Sequence, residues 1–398
     1  MSHGSTDRHS TQARDDIPAL TGVRGVAAFL VAVYHYFFPL MPQGSAIHRL
    51  FGRGYLYVDL FFVLSGYVMA LNYGPMFSTR IRWEAVGRFF WKRFARVYPV
   101  YIFLTIVLGA TYFAVYNDFA DHHSWIVVCL SKPLLDIPLN LLLMQAWGYA
   151  DSVVGQAWSV STEAAAYLCF PLLALLCGRW GTTRFAAIVV SCFAAIPVAV
   201  WLARGDGIYH AGTLDLWTGP PALLRCFGGF SLGVCLHRLA AWKQARFAFT
   251  DAFGIGLLSL YALSLLAAAP DLALYPVFPL LILCLAGNQG WFRYVFGCKP
   301  VYVMGLLSYS FYMVHVYFIP PMYESKQLLS ASLPPWLAWC IAAAAAFCAA
   351  LSVAGLAYLG IERPARRLLR RLAQRPRSYA HRPHRSGNGL REATDRRT

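Results

Sequence analysis

Ten stretches of this chain read as helices through a lipid bilayer, and that constrains every other reading. They are Ile17–Leu40, Tyr55–Tyr73, Val97–Tyr116, Glu163–Cys177, Phe185–Ala203, Pro220–Leu239, Ala252–Ala269, Leu272–Ala286, Val301–Pro320 and Trp336–Gly360. A helix of roughly 20 apolar residues crosses the ~30 Å hydrocarbon core, and it satisfies its own backbone where no water can. Composition agrees: of 398 residues, 58% are hydrophobic and only 13% charged, about half the charged share of a soluble domain. The expected fold is an all-α polytopic membrane protein of about ten transmembrane helices. An eleventh stretch, Leu134–Trp147, is shorter and holds Asp136 and Pro138.

Charge decides whether that stretch crosses. If it does not, and the N-terminus is cytoplasmic, the inner loops hold 13 Lys and Arg and the outer loops 5, as the positive-inside rule requires. Were it to cross, the Arg-rich tail would lie outside. Leu134–Trp147 is therefore expected to be re-entrant or interfacial, with both termini cytoplasmic. The organisation follows: a polar segment over 1–16, a transmembrane domain over 17–362, and a basic cytoplasmic tail over 363–398. Ile17–Leu40 is too long for a signal-peptide core and lacks a small-residue cleavage site, so it is expected to be retained.

The net charge of +16 is concentrated: from Arg363 to Arg397 there are twelve Arg against Glu392 and Asp395. Such a tail faces anionic lipid. No folded basic module is visible, so no nucleic-acid partner is expected. The ten Cys form no CxxC pair and lie mostly in apolar runs; they read as small buried hydrophobes, and no metal site is expected.

Ionisable groups at membrane depth are functional candidates by default. Arg24 and His35 are eleven residues apart on the first helix, close to three whole turns, so they share one face about 16 Å apart along the axis. A cation towards the cytoplasm and an imidazole further out suit a ligand entering from inside. A snorkelling Arg and a satisfied core His is the plainer reading of each alone. Asp59, at the start of the second span, should lie at the depth of His35, and Ser65-Gly66 near its centre permits close approach of a helix or a ligand. Arg93 and Arg96 share a helix face at the cytoplasmic entrance and match phosphate groups, although basic residues are expected there on topological grounds. Glu163, after Trp158, Ser159 and Ser161, lies near the depth of His35, and the same residues also read as a helix N-cap. Tyr309 and His315 bring polar groups to the ninth span; Arg225 and Glu362 complete the set.

These residues, in this order, resemble the membrane-bound acyltransferase type 3 family. The resemblance rests on Arg24 and His35, on Phe61 to Tyr67 (FFVLSGY), on Arg93 and Arg96 before Tyr98-Pro99, on Trp158 to Glu163, on Gly305 to His315 (GLLSYSFYMVH) and on Ile361 to Pro364. It spans nearly the whole chain. What it implies is transfer of an acyl group, acetyl foremost, from acyl-coenzyme A to a hydroxyl of an exopolysaccharide, lipopolysaccharide or related envelope saccharide in a bacterial inner membrane. No cofactor is bound permanently; acyl-coenzyme A, the saccharide and the lipid bilayer are the partners. The implied roles are His35 as catalytic centre, supported by Glu163 and Asp59. Arg24, Arg93, Arg96, Ser65 and Gly66 serve the donor; Trp158, Ser161, Tyr309 and His315 serve the acceptor. The chain departs from the family where Ala164-Ala165-Ala166 follows Glu163 in place of a second acid or Gln. The alternatives are acylation of a small molecule such as a macrolide, and a transporter of an anionic or lipid-linked substrate.

Overall fold

A computed structural model describes residues 17–116 and 133–374, except 180, 206 and 211, without the side chains of 108–116, 133–135, 370 and 372–374. The ends of the expected N-terminal segment and tail, 1–16 and 375–398, lie outside the described residues. Among those described there is no strand. The helices are α1 Pro18–Phe37, α2 Tyr57–Tyr73, α3 Trp83–Tyr116, α4 Pro133–Leu141, α5 Trp158–Arg179, α6 Thr182–Leu202 and α7 Gly219–Leu239. There follow α8 Asp251–Leu266, α9 Val277–Ala286, α10 Gly290–Gly297, α11 Lys299–Val314, α12 Ile319–Leu329, α13 Pro335–Ala357 and α14 Arg363–Gln374.

Seven helices among the described residues are long and apolar enough to cross a membrane, or nine if each of two bent pairs is one span. About ten were expected. The expected span Val97–Tyr116 is the second half of α3, a single 34-residue helix whose first half is basic and which carries Pro99 inside it. The two bent pairs turn by 65° before α8 and by 95° between α9 and α10. The doubtful eleventh stretch forms α4, nine residues long and so far too short to span. It ends in a backbone reversal at Leu143 (φ 57°) and Gly148 (φ 100°).

Local chemistry sets many of the starts. Proline occupies the first turn of α1, α7, α11 and α13, where its missing N–H is no loss. The Thr250 hydroxyl accepts from the Phe253 N–H (3.3 Å) to cap α8.

Glycines set which helices touch. A Cβ on Gly25 would lie 2.5 Å from the Gly305 nitrogen, and one on Gly305 only 2.0 Å from the Thr21 carbonyl oxygen. Helices α1 and α11 therefore run side by side, in parallel, backbone against backbone. A Cβ on Gly66 would meet the Phe230 carbonyl at 1.9 Å, and one on Gly233 the Val63 carbonyl at 2.0 Å, so α2 and α7 are joined in the same way. Small residues at such crossings are how helices gain packing without a hydrophobic driving force. Along α13, the buried Ala342, Ala346, Ala350 and Ala354 form a four-residue repeat, and the Phe347 ring meets Phe29 of α1 (5.1 Å) and Phe311 of α11 (5.3 Å).

Candidate active site

The parallel pair α1 and α11 carries two polar contacts, one near each end. At one end the Arg24 Nε donates to Ser308 Oγ (2.8 Å) and its Nη2 to the Gly305 carbonyl (2.6 Å). Near the other, His35 Nδ1 lies 2.9 Å from the Val31 carbonyl and 3.3 Å from His315 Nε2. His315 is fully buried, and its Nδ1 lies 2.8 Å from the Tyr312 carbonyl. The Tyr36 hydroxyl donates to the His315 carbonyl (2.6 Å), and the Trp339 indole N–H to the Tyr36 carbonyl (2.8 Å). His35 and Arg24 do share a face, the one turned to α11.

Neither carboxylate assigned to His35 touches it. Asp59 is fully buried and bound by Arg225 of α7 through both oxygens: Nε to Oδ1 at 2.9 Å, Nη2 to Oδ2 at 2.8 Å. Arg225 also donates to the carbonyls of Leu216 (3.1 Å) and Tyr55 (3.0 Å), and its guanidinium lies 5.5 Å over the Trp158 ring. This replaces the expected pairing of Asp59 with His35: a guanidinium offers a carboxylate two parallel hydrogen bonds, which an imidazole does not. Trp158, assigned to the acceptor, covers this ion pair. In the loop before α7, burial pushes the Asp215 carboxyl above the usual carboxylate range, against the opposing pull of Arg225 and His210.

Glu163 lies between α2 and α5, where its Oε1 accepts from the Ser65 hydroxyl and from the Tyr167 hydroxyl (2.7 Å). It sits in the second turn of α5, which begins at Trp158, so the N-cap reading fails. Ser161 instead donates to the Leu143 carbonyl (2.7 Å) and accepts from the Ala146 N–H (3.2 Å). It is fully buried and ties α4 and its turn to α5; it is not open to an acceptor. Gly66, assigned to the donor, faces the α7 backbone.

Arg93 donates through Nη2 to the Tyr73 hydroxyl (2.8 Å), and its guanidinium lies 4.9 Å over that ring and 6.0 Å over Tyr167. Its Nε is buried without a partner. Arg96 has no hydrogen bond or ion pair among the described residues, and Arg93, Arg366 and Glu362 are the charges that act on it. Glu362, in a π-helical turn between α13 and α14, accepts from Ser310 (2.8 Å) and pairs with Arg366 (3.3 Å). The Tyr309 hydroxyl donates to the Val97 carbonyl (2.7 Å). Backbone loosened into a π turn recurs at working sites.

His35, Arg93, Arg96 and Tyr309 are half-buried and keep accessible surface. Ser65 and Glu163, facing one another across two helices, do so as well. A groove of about 540 Å³, lined by Leu173, Arg184, Ser191 and Ser231 among others, holds none of them.

The family model described as an acyltransferase domain matches residues 17–355. The chain belongs to the membrane-bound acyltransferase type 3 family. Among relatives, acyltransferase MdmB of Streptomyces mycarofaciens is 27% identical across 89% of this chain and 93% of its own. Protein 2 in the picA locus of Rhizobium radiobacter is 30% identical across 47% and 94%. A Bacillus subtilis protein assigned provisionally as the peptidoglycan O-acetyltransferase YrhL is 27% identical across 50% of this chain and 31% of its own. No solved structure matches the present chain. Within this acyltransferase, sequence reasoning missed Arg225 as the partner of Asp59. A rule was at hand: a buried charge seeks its opposite, and Arg225 is the cation in the first half of the span that begins at Gly219, whose other arginine, Arg238, lies in its last turn.

Proposed function

We propose that this acyltransferase moves an acyl group, acetyl foremost, from acyl-coenzyme A to a hydroxyl of an envelope or exported glycan in a bacterial inner membrane. The single observation that carries the reading is the arrangement along α1 and α11. An accessible imidazole lies about 16 Å along the helix from Arg24, whose end of the bundle also holds the unsaturated Arg93 and Arg96. That end is basic and faces the cytoplasm by the positive-inside rule. The phosphates of the donor dock there, and its slim arm reaches between the helices to His35.

The chemistry needs few parts. The imidazole of His35 takes the proton of the acceptor hydroxyl as its oxygen attacks the thioester carbonyl carbon. The tetrahedral adduct then collapses with cleavage of the C–S bond. The leaving thiolate takes the proton back from His35, giving free thiol and ester. A second reading, acylation of an apolar small molecule such as a macrolide, draws on the exposed Phe38, Ile47 and Phe51 beyond His35.

The test is His35→Ala in membranes. Ester formation should fall by about 10²- to 10⁴-fold, the usual contribution of a general base, with protein level unchanged. Retained activity removes His35 from the mechanism. Mass spectrometry of envelope glycans with and without the gene reads acyl group and acceptor together; unchanged glycans with an altered small molecule would favour the second reading.

A further inference from the structure

We infer that His315 is a positioning residue for acyl transfer, holding His35 in the form protonated on Nδ1 so that Nε2 presents its lone pair to the acceptor hydroxyl. The inference rests on the reading of His35 as the base.

Proton accounting leads to it. A carbonyl oxygen only accepts, so the contact of His315 Nδ1 with the Tyr312 carbonyl at 2.8 Å places a proton on that nitrogen. The Nε2 of neutral His315 is then an acceptor. The contact of His35 Nδ1 with the Val31 carbonyl at 2.9 Å places a proton there too. That N–H is shared with His315 Nε2 at 3.3 Å. One set of protons satisfies all three contacts. It leaves His35 Nε2 unprotonated, and that nitrogen has no hydrogen-bond partner among the described residues.

The other end of the chain of contacts is fixed. His315 is fully buried; the Tyr36 hydroxyl holds its carbonyl and the Phe311 ring stacks on it at 5.9 Å. Among the described residues neither candidate carboxylate competes for the task, because Asp59 is taken by Arg225, and Glu163 accepts from Ser65 and Tyr167. A neutral orienting group suits the membrane interior, where an unpaired carboxylate is costly. When Nε2 takes the alcohol proton, His35 becomes an imidazolium, and its Nδ1–H bond to His315 becomes charge-assisted and stronger. Once the C–S bond breaks, the thiolate takes the Nε2 proton. His315 exchanges no proton in the cycle. It does for His35 what the carboxylate does in a hydrolase triad, fixing tautomer and ring orientation.

The experiment uses the purified full-length protein in nanodiscs, with acetyl-coenzyme A as donor and glycan from cells lacking the gene as acceptor. His315→Leu removes the acceptor nitrogen; His315→Gln puts an amide oxygen in its place. The expected result is a fall in kcat of roughly 10- to 100-fold for His315→Leu, the scale on which losing the group that orients a metal-bound histidine tells in metal sites. KM for acetyl-coenzyme A should stay within about twofold, and His315→Gln should recover most of the rate. A kcat for His315→Leu near that of the unaltered protein, or equal losses for Leu and Gln, overturns the inference. Solid-state ¹⁵N spectra of histidine-labelled protein, with His35 assigned by difference from His35→Gln, give a reading that needs no folded His315 variant. Protonated Nδ1 and bare Nε2 on His35 support the inference; the opposite tautomer overturns it. If His35→Ala is inactive and His315→Leu is not impaired, only this inference fails; if His35→Ala is active, the reading beneath it fails too.

Discussion

Arg225, fully buried, and the half-buried pair Arg93 and Arg96 lie near opposite ends of α2, and the fold treats their guanidiniums in opposite ways. Arg225 is fully buried, and all three of its nitrogens are engaged: two on Asp59, with carbonyls of Leu216 and Tyr55 taking what remains. Arg93 has one hydrogen bond and a buried Nε without a partner, and Arg96 stands beside Arg366 with no hydrogen bond among the described residues. A buried charge left unsatisfied is expensive. The first site has met that cost within the chain, which marks it as architecture. The second keeps donor capacity in reserve, as the proposed docking of an anionic acyl donor there requires.

The largest expected effect is at the saturated site. Asp59→Asn or Arg225→Met leaves the other group buried without its counter-charge, which should lower stability by about 3–5 kcal/mol. Thermal unfolding in detergent reads it, with activity falling only as folded protein is lost. Replacing both together, Asp59→Leu with Arg225→Leu, should be less harmful than either single change, because no charge is stranded. A double variant as unstable as the sum of the singles would mean that the pair does more than neutralise itself.

At the unsaturated site the same kind of change should leave the fold alone. Arg96→Gln should weaken binding of acyl-coenzyme A by roughly 10- to 100-fold, the scale of one or two charge-assisted hydrogen bonds, without shifting Tm. Donor titration alongside unfolding separates the two readings. A fall in Tm with unaltered donor affinity would make Arg96 a structural residue like Arg225 and erase the contrast.

The spans were legible because bilayer thickness and hydropathy act locally: α1, α2, α7 and α13 begin and end within three residues of the expected bounds. The shared face of Arg24 and His35 was legible because helical periodicity is local too. What escaped was pairing across the chain. Asp59 and Arg225 are 166 residues apart, and nothing in either local pattern names the other. Gly66 looked equally suited to a ligand or a helix, and only the Phe230 carbonyl against it decides for the helix. The Ser-Thr-Glu run after Trp158 has the letters of a cap, but α5 starts earlier, so Glu163 is set between helices and Ser161 turns to α4.

Ser161 supplies the smallest effect and the sharpest contrast with Arg96, because both were assigned to a substrate on sequence grounds. Arg96 retains accessible surface and free donors. Ser161 has neither, since its one proton goes to the Leu143 carbonyl and its oxygen accepts from Ala146. Ser161→Ala would leave that carbonyl and that N–H unmatched beneath the turn at Leu143, where a non-glycine residue already holds φ 57°. The expected loss is about 1–3 kcal/mol of stability, with faster hydrogen exchange in residues 141–148 and unchanged KM for donor and acceptor. A selective rise in KM for the acceptor, with stability untouched, would return Ser161 to the substrate and require the turn after α4 to move aside during turnover.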